Sequence, residues 1–360
     1  MRFFNTEGPV RPEDHYCLPP LSRWDLDQIL MLIDQKKYFL LHAPRQTGKT
    51  SCLLALMERL NAEAQYRTLY VNIEAAQAAR ERVEAGMAAI IQAMASSARW
   101  RLGDGAADAM ALEVIQGGAL LGGVQEFLTR WCGQSPRPVV LLLDEVDALV
   151  GDTLVSLLRQ LRAGYEQRPR HFPQTVVLCG VRDLRDYRIH ASSETEIITG
   201  GSAFNIRAKS LRLGDFSADE VRRLLTEHTL ETGQHFTAEA LERVWTLTQG
   251  QPWLVNALAY ETCFEMREGR DRARPIDRDM IEQAKEALIA RRVTHLDQLA
   301  DKLREARVRR IIEPMLAGTA LGEVPLDDRD YLVDLGLLRR VNGGGLEVAN
   351  PIYREVLPRM

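Results

Sequence analysis

Cysteine is scarce in this chain of 360 residues: Cys17, Cys52, Cys132, Cys179 and Cys263 are an odd number and form no close pair. Their spacing argues against a disulfide framework and against a zinc site. Four of them fall in or beside expected core segments and read as small buried apolar residues. No uninterrupted apolar span approaches the roughly 20 residues that a membrane-crossing helix needs. No charged and apolar leader opens the chain, so no membrane partner is expected and the cytoplasm is the expected compartment. Charge of one sign is not in excess either, with 46 basic and 50 acidic residues giving a net charge of −4. The whole chain therefore announces no polyanion partner, although local patches could still hold one. Internal repeats and low-complexity tails are lacking, and the length suits two or three domains of ordinary globular composition.

What stands out is the run Ala43-Pro44-Arg45-Gln46-Thr47-Gly48-Lys49-Thr50, between the apolar stretch Tyr38–His42 and the helical pattern opening at Ser51. A strand, a short loop and a helix in that order make a nucleotide site. A loop wrapped around a polyphosphate must turn backbone N–H groups inward at contact distance, which favours a residue without a side chain at Gly48. Lys49 supplies a point charge for the β and γ phosphates, and Thr50 a hydroxyl for Mg²⁺. Both sit in the first helical turn with Ser51, where the helix dipole favours an anion. The pattern's usual first Gly is Ala43 here, the smallest alternative, and the loop is expected to close.

A second motif makes the first specific. Val139-Val140-Leu141-Leu142-Leu143 is a continuous apolar run, as in a strand buried on both faces of a parallel sheet, and it ends in Asp144-Glu145-Val146-Asp147. Asp144 at that tip is expected to support Mg²⁺, and Glu145 to orient or deprotonate the attacking water. The expected chemistry is ATP hydrolysis with ATP and Mg²⁺ bound.

Apolar runs at residues 38–42, 67–73, 138–143, 174–181 and roughly 208–213 alternate with helical patterns, which predicts a five-stranded parallel sheet sandwiched by helices. The Ala-rich stretch between the second and third runs reads as two or more helices with a mobile loop around Gly103-Asp104-Gly105. Ser217 and Glu220 form a predicted capping box, after which the chain reads as helical to about 290. The charged stretch Arg267 to Pro275 is expected to interrupt it as an exposed loop. Near the end, a short helix stopped by Gly336 precedes Leu337–Val341, a glycine-rich turn and Leu346–Ala349, the pattern of a hairpin. The expected parts are a lead-in (1–37), a P-loop core (38–215), a helical lid (216–290) and a winged-helix domain (291–360).

Residues Pro44 to Thr50, Leu143 to Asp147, Gly250-Gln251-Pro252 and the terminal helix–hairpin pattern together resemble the AAA-like branch of P-loop ATPases, close to the STAND signalling ATPases and the archaeal origin-recognition type. The lead-in Arg11 to Pro20 is similar to the segment preceding the phosphate loop in a bacterial subset of these proteins. The resemblance implies a sensor role beside the γ phosphate for Arg182, where a guanidinium would favour charge developing during transfer. The same Arg182 could instead pair with Asp183. The resemblance also puts His15 and Tyr16 near the adenine, with packing of Tyr16 between prolines as the alternative. Gly250, Pro252 and Trp253 fall where the family has its lid turn, and Arg185, Arg188 and Arg207 where related rings offer an arginine finger.

The terminal module could face DNA or protein. On its presumed recognition helix Asp327, Asp328, Asp330 and Asp334 outnumber Arg329, which disfavours a duplex. Basic residues at 291, 292, 302, 304, 307, 309, 310, 339 and 340 are interleaved with acids and read as a solvated face with salt links. The expected function is an ATP- and Mg²⁺-dependent molecular switch, with slow hydrolysis coupled to conformational change. Its expected partners are an adenine nucleotide, further copies of itself and a protein effector. A non-catalytic nucleotide-binding scaffold and a DNA-loading or transposition-type ATPase are the alternatives.

Overall fold

The computed structural model describes residues 1–182, 188–190, 197–199, 207–291, 295, 302–319, 323–341 and 345–359. They form two compact units, one of Met1–Arg23, Pro44–Ser51 and Gly214–Met360, the other of Trp24–Ala43 and Cys52–Leu213.

In the first unit, the short strands β1 (Phe3–Phe4) and β2 (His15–Tyr16) pair in parallel. The second unit holds a parallel sheet of β3 (Tyr38–His42), β4 (Arg67–Asn72), β5 (Val139–Asp144), β6 (Thr175–Gly180) and β9 (Arg207–Arg212), in the order β4-β5-β6-β3-β9. Between the last two in sequence, β7 (Arg188–His190) and β8 (Ile197–Thr199) make an antiparallel pair. Every residue of β3, β5 and β6 is buried, which explains their unbroken apolar runs. Helices at Val83–Leu102, Ala106–Gln116, Gly123–Gly133 and Gly151–Ala163 supply Ile90, Met94, Met110, Phe127, Trp131, Leu157 and Leu161 to the core that also holds Leu69, Val71, Leu141 and Leu143 of the sheet. The break at Gly103 is a left-handed helix cap, and Asp104 beside it is anchored rather than solvated. Its Oδ2 accepts from Trp131 Nε1 at 2.8 Å and from Arg67 at 2.7 Å.

The strand order fixes where a ligand belongs. From β3 the chain crosses to the edge strand β4 and steps back through β5 to β6, whereas after β6 it continues to β9 on the other side of β3. The carboxyl ends of β3 and β6 thus diverge in opposite directions, the topological switch point at which open parallel sheets bind ligands.

In the first unit, helices at Ala218–Thr232, Ala238–Thr248, Pro252–Tyr260 and Arg278–Ala290 pack around Leu224, Val244, Leu258 and Ile281. Both bonds of the Ser217–Glu220 capping box are present, at 2.7 and 3.2 Å. Within the charged stretch 267–275, Arg272 turns inward to Gln234 Oε1 (2.8 Å), Cys263 O (2.9 Å) and Gly269 O (3.1 Å). Helices at Ala306–Leu316 and Leu326–Asp334 are followed by an antiparallel hairpin, β10 (Leu338–Arg340) with β11 (Leu346–Val348), and a short helix at Pro351–Val356. Residues 342–344 of the expected Asn342-Gly343-Gly344-Gly345 turn lie outside the described residues. No helix among the described residues is long and apolar enough to cross a membrane.

Candidate nucleotide site

The register of the sheet sets two motif-bearing tips level. His42 pairs with Gly180 and Leu143 with Leu178, so β3 and β5, both neighbours of β6, end at one edge of the sheet. With strands spaced ~4.8 Å apart, the two tips are about 10 Å from each other. Ala43 extends the ladder by one bond, its N–H donating to Gly180 O at 3.2 Å, and is fully buried.

From there the chain turns through Pro44, Arg45, Gln46, Thr47 and Gly48 into the helix that starts at Lys49. Gln46 (φ 58°) and Gly48 (φ 92°) both adopt left-handed backbone, the second far from what a side chain tolerates. Thr47 Oγ1 donates to Pro44 O at 2.8 Å, and Lys49 Nζ donates to the same carbonyl at 2.9 Å, so the loop closes on itself with Ala43 in first position. Thr47, Lys49 and Ser51 are buried and Thr50 is half-buried. Ser51 Oγ accepts from Val10 N–H at 3.0 Å, which ties the lead-in segment to the helix start.

Asp144 is wholly buried at the tip of β5. Its Oδ2 accepts from the Tyr70 hydroxyl at 2.9 Å and its Oδ1 from Glu145 N–H at 3.0 Å. Tyr70 stands one strand away on β4, and the Arg101 guanidinium lies 4.9 Å from its ring centroid. Glu145 has φ 60°, a conformation that costs a non-glycine residue about 1–3 kcal/mol. Asp147 accepts from Val181 N–H at 3.1 Å, which binds the start of the Val181-Arg182 segment to the acidic turn. Arg182 is half-buried. Asp183 and Arg185 lie outside the described residues, while Arg188 and Arg207 open β7 and β9.

The first unit accounts for the remaining expected positions. Tyr16 is 1% exposed, its ring 4.9 Å from that of Phe4 and 5.5 Å from that of His228, with the Arg2 guanidinium at 5.1 Å. Burial pushes its hydroxyl pKa up to about 12. His15 accepts at Nδ1 from Arg11 N–H (2.9 Å), and burial lowers its pKa. Gly250 has φ 80°, and a Cβ there would stand 1.9 Å from Phe216 O, so only glycine fits. Gln251 caps the next helix through Leu254 N–H, Pro252 fills its first turn, and Trp253 Nε1 donates to Thr6 O at 2.9 Å.

Two residues escaped the sequence reading. Tyr70 sits inside an apolar run, where nothing local marks its hydroxyl as polar and engaged. Arg23, in a polar lead-in, donates through one guanidinium nitrogen to Thr47 O and through the other to Gly214 O at 2.7 Å. No spacing rule links positions 24 and 191 residues apart.

In the first unit a buried lysine, a hydroxyl and a self-closed loop at a helix start suit the phosphates of a nucleoside triphosphate, and in the second a tyrosine-braced carboxylate suits a hard cation such as Mg²⁺. Residues 23–180 match the model of the AAA ATPase domain. That match, over less than half of the chain, supports ATPase activity. No curated protein matches the chain. Among solved structures, the Walker-type ATPase Paby2304 of Pyrococcus abyssi is similar over 99% of this chain and 99% of its own, with TM-score 0.65 and 16% identity. Cdc6p from Pyrobaculum aerophilum aligns over 95% and 94% (TM-score 0.49, 17% identity), and the RuvB Holliday junction branch migration motor of Thermotoga maritima over 92% and 92% (TM-score 0.46, 15% identity). At such identities the first of these shows the fold alone: a P-loop α/β sheet followed by a helical region.

Proposed function

We propose that this ATPase is a molecular switch, in which nucleotide bound at residues 43–51 sets the conformation of the helical region after residue 214. The observation that supports this reading is the company the loop keeps. Pro44–Ser51 belong to the same compact unit as Gly214–Met360, and a Cβ placed on Gly336 would meet Pro44 Cβ and Cγ at 2.8 Å. A loop in contact with the terminal module can report its occupancy to it.

In this reading Lys49 and the backbone N–H groups of residues 46–50 would hold the phosphates, and Thr50 and Asp144 would hold the metal. Bound Mg²⁺ would neutralise charge on the β and γ phosphates. Glu145 orients and deprotonates the attacking water, and Arg182 stabilises charge on the γ phosphate. The lead-in reaches the site through Val10 and Ser51. Tyr16 is committed to packing, so the lead-in meets the adenine through its backbone. The Gly250-Pro252 turn serves as the lid, and the helices at 306–316 and 326–334 with the β10–β11 hairpin act as a winged helix.

The terminal module's partner is a protein, a further copy of the chain or an effector. Six of its described cations pair with acids within it: Arg307 and Lys302 with Glu305 (3.1 and 2.9 Å), Arg309 with Glu313 (3.8 Å), Arg310 with Asp328, Arg339 with Glu347 and Arg340 with Asp330. Arg291 likewise pairs with Glu261 at 2.8 Å. Cations held this way are poorly placed to replace the counterions of a duplex.

Mass in solution with ADP and with a slowly hydrolysed ATP analogue, each with and without duplex DNA, tests the switch. The wild type is expected to change mass or shape between the two nucleotides and to ignore DNA. Glu145→Gln should still bind ATP while turnover stops, trapping the loaded form. Identical hydrodynamic behaviour in both nucleotides, with unchanged turnover in Glu145→Gln, refutes the proposal.

A further inference from the structure

Arg23 ends the short 3-10 helix Pro20–Arg23, which aims its side chain at the phosphate loop. One guanidinium nitrogen donates to Thr47 O, the other to Gly214 O at 2.7 Å, and the guanidinium lies 4.5 Å from the Phe216 ring centroid. Phe216 N–H in turn donates to Gly250 O at 2.8 Å, at the turn where Phe216 O leaves no room for a Cβ. A single cation therefore touches the loop that holds phosphate and the strand exit that grips the Gly250-Gln251-Pro252 turn.

The consequence for the loop follows from the planarity of the peptide bond. In a trans peptide the C=O and the following N–H point in opposite directions. Holding Thr47 O on the Arg23 side therefore turns Gly48 N–H to the other side of the loop. A charge-assisted bond to that carbonyl also polarises the peptide and strengthens its N–H as an anion donor. The missing side chain of Gly48 belongs to the same device, because a Cβ there would stand 2.8 Å from the Arg23 nitrogen. Glycine at 48 thus makes room for the cation as well as permitting φ 92°.

We propose that Arg23 is a positioning residue that presets Gly48 N–H for phosphate and, through Gly214, Phe216 and Gly250, passes the loop's state to the helix beginning at Pro252. The proposal rests on the reading of residues 43–51 as a nucleotide site. Arginine is required for it, because only a planar fork with several fixed donors spans two carbonyls while stacking on a ring; lysine offers one point charge.

Amide hydrogen exchange of segments 44–51 and 250–258, with and without saturating ADP and with inorganic pyrophosphate, tests it in wild type, Arg23→Ala and Arg23→Lys. In the wild type both ligands should slow exchange in both segments. Arg23→Ala should weaken ADP binding roughly tenfold, the effect of one lost charge-assisted hydrogen bond. At saturating ADP that variant should protect 44–51 but no longer 250–258. Arg23→Lys should recover part of the affinity without the response at 250–258. A wild type that binds neither ADP nor pyrophosphate overturns the nucleotide site itself. A wild type that responds in both segments, with either variant responding equally at 250–258 under saturation, leaves that site standing and overturns the role of Arg23. Circular dichroism of each variant confirms folding, and Phe216→Leu, which keeps Arg23 on the loop, should lose response at 250–258 with near-wild-type ADP affinity.

Discussion

Replacing Tyr70 with phenylalanine removes one oxygen atom and nothing else from a fully packed strand. That oxygen carries the proton donated to Asp144 Oδ2 at 2.9 Å, inside a carboxylate site with no solvent access. A hydrogen bond to a charged group contributes roughly 1.5–3 kcal/mol, and the isosteric ring leaves no cavity that would add a packing loss. Stability should therefore fall by about 1.5–3 kcal/mol, visible as a lower urea midpoint at unchanged slope. The second consequence concerns catalysis. With the Tyr70 bond gone, the Asp144 carboxylate is held less firmly in the orientation in which it would support the metal. Half-saturating Mg²⁺ for ATP hydrolysis should rise several-fold, while binding of ADP in EDTA stays near wild type. A Tyr70→Phe protein with wild-type urea midpoint and wild-type Mg²⁺ dependence would refute the brace. A loss confined to stability would reduce Tyr70 to a packing residue.

Gly250→Ala combines a Cβ 1.9 Å from Phe216 O with φ 80°, so the turn must rearrange. A loss of at least about 2 kcal/mol in chemical denaturation is expected, and an unchanged midpoint would contradict the geometry. Acid sensitivity follows from His295, which burial drives down to about 4 while its Nε2 lies 2.7 Å from the Tyr353 hydroxyl. Because the folded value lies below the unfolded value of 6.5, the stability linked to this group is complete above pH 6.5 and is lost as pH falls towards 4. The full linkage is on the order of 3 kcal/mol. His295→Gln should flatten the stability profile between pH 4 and 6.5, and an unaltered profile would argue against it. Lys49→Ala should abolish ADP binding by calorimetry with little change in thermal midpoint; retention of tight binding would remove the lysine from the phosphate site. Charge reversal at Arg309 and Arg310 breaks the pairs with Glu313 and Asp328 but should leave salt-dependent retention on duplex DNA unchanged, since none is expected.

The parallel sheet was legible because burial on both faces forces uninterrupted apolar runs: all of β3, β5 and β6 lie within a residue or so of the apolar stretches that predict them. Local rules of similar strength revealed the Ser217–Glu220 capping box and the glycine stop at 336, where the backbone has φ 77°. Long-range polar pairing escaped, since it leaves no pattern in the chain. Asp104 reads as a loop residue between two glycines yet receives Trp131 and Arg67. Arg272 reads as one more charge in a solvated run yet is drawn inward by three oxygen acceptors. Tyr70 and Arg23 belong to the same class, and they touch Asp144 and Thr47 of the two motifs singled out in the sequence. The sequence thus exposes residues that a nucleotide requires at fixed spacing, while those that orient them depend on which distant segments the fold brings together.

That distinction bears on why the phosphate loop shares a unit with residues from the other end of the chain. A loop that only bound phosphate would need backbone N–H groups, one lysine and a helix start, all of which residues 44–51 supply. Here three separate segments reach it: Val10 through Ser51, Arg23 through Thr47, and Gly336 through Pro44. Gly336 has no room for a Cβ against Pro44, and its left-handed φ sets the step from the helix ending at Asp334 into β10. In the switch proposed above, a shift of Pro44 as the loop tightens on an anion would be applied at the junction between that helix and the hairpin. Coupling of two sites requires an element in contact with both, and the close-packed Gly336 step against Pro44 would be such an element.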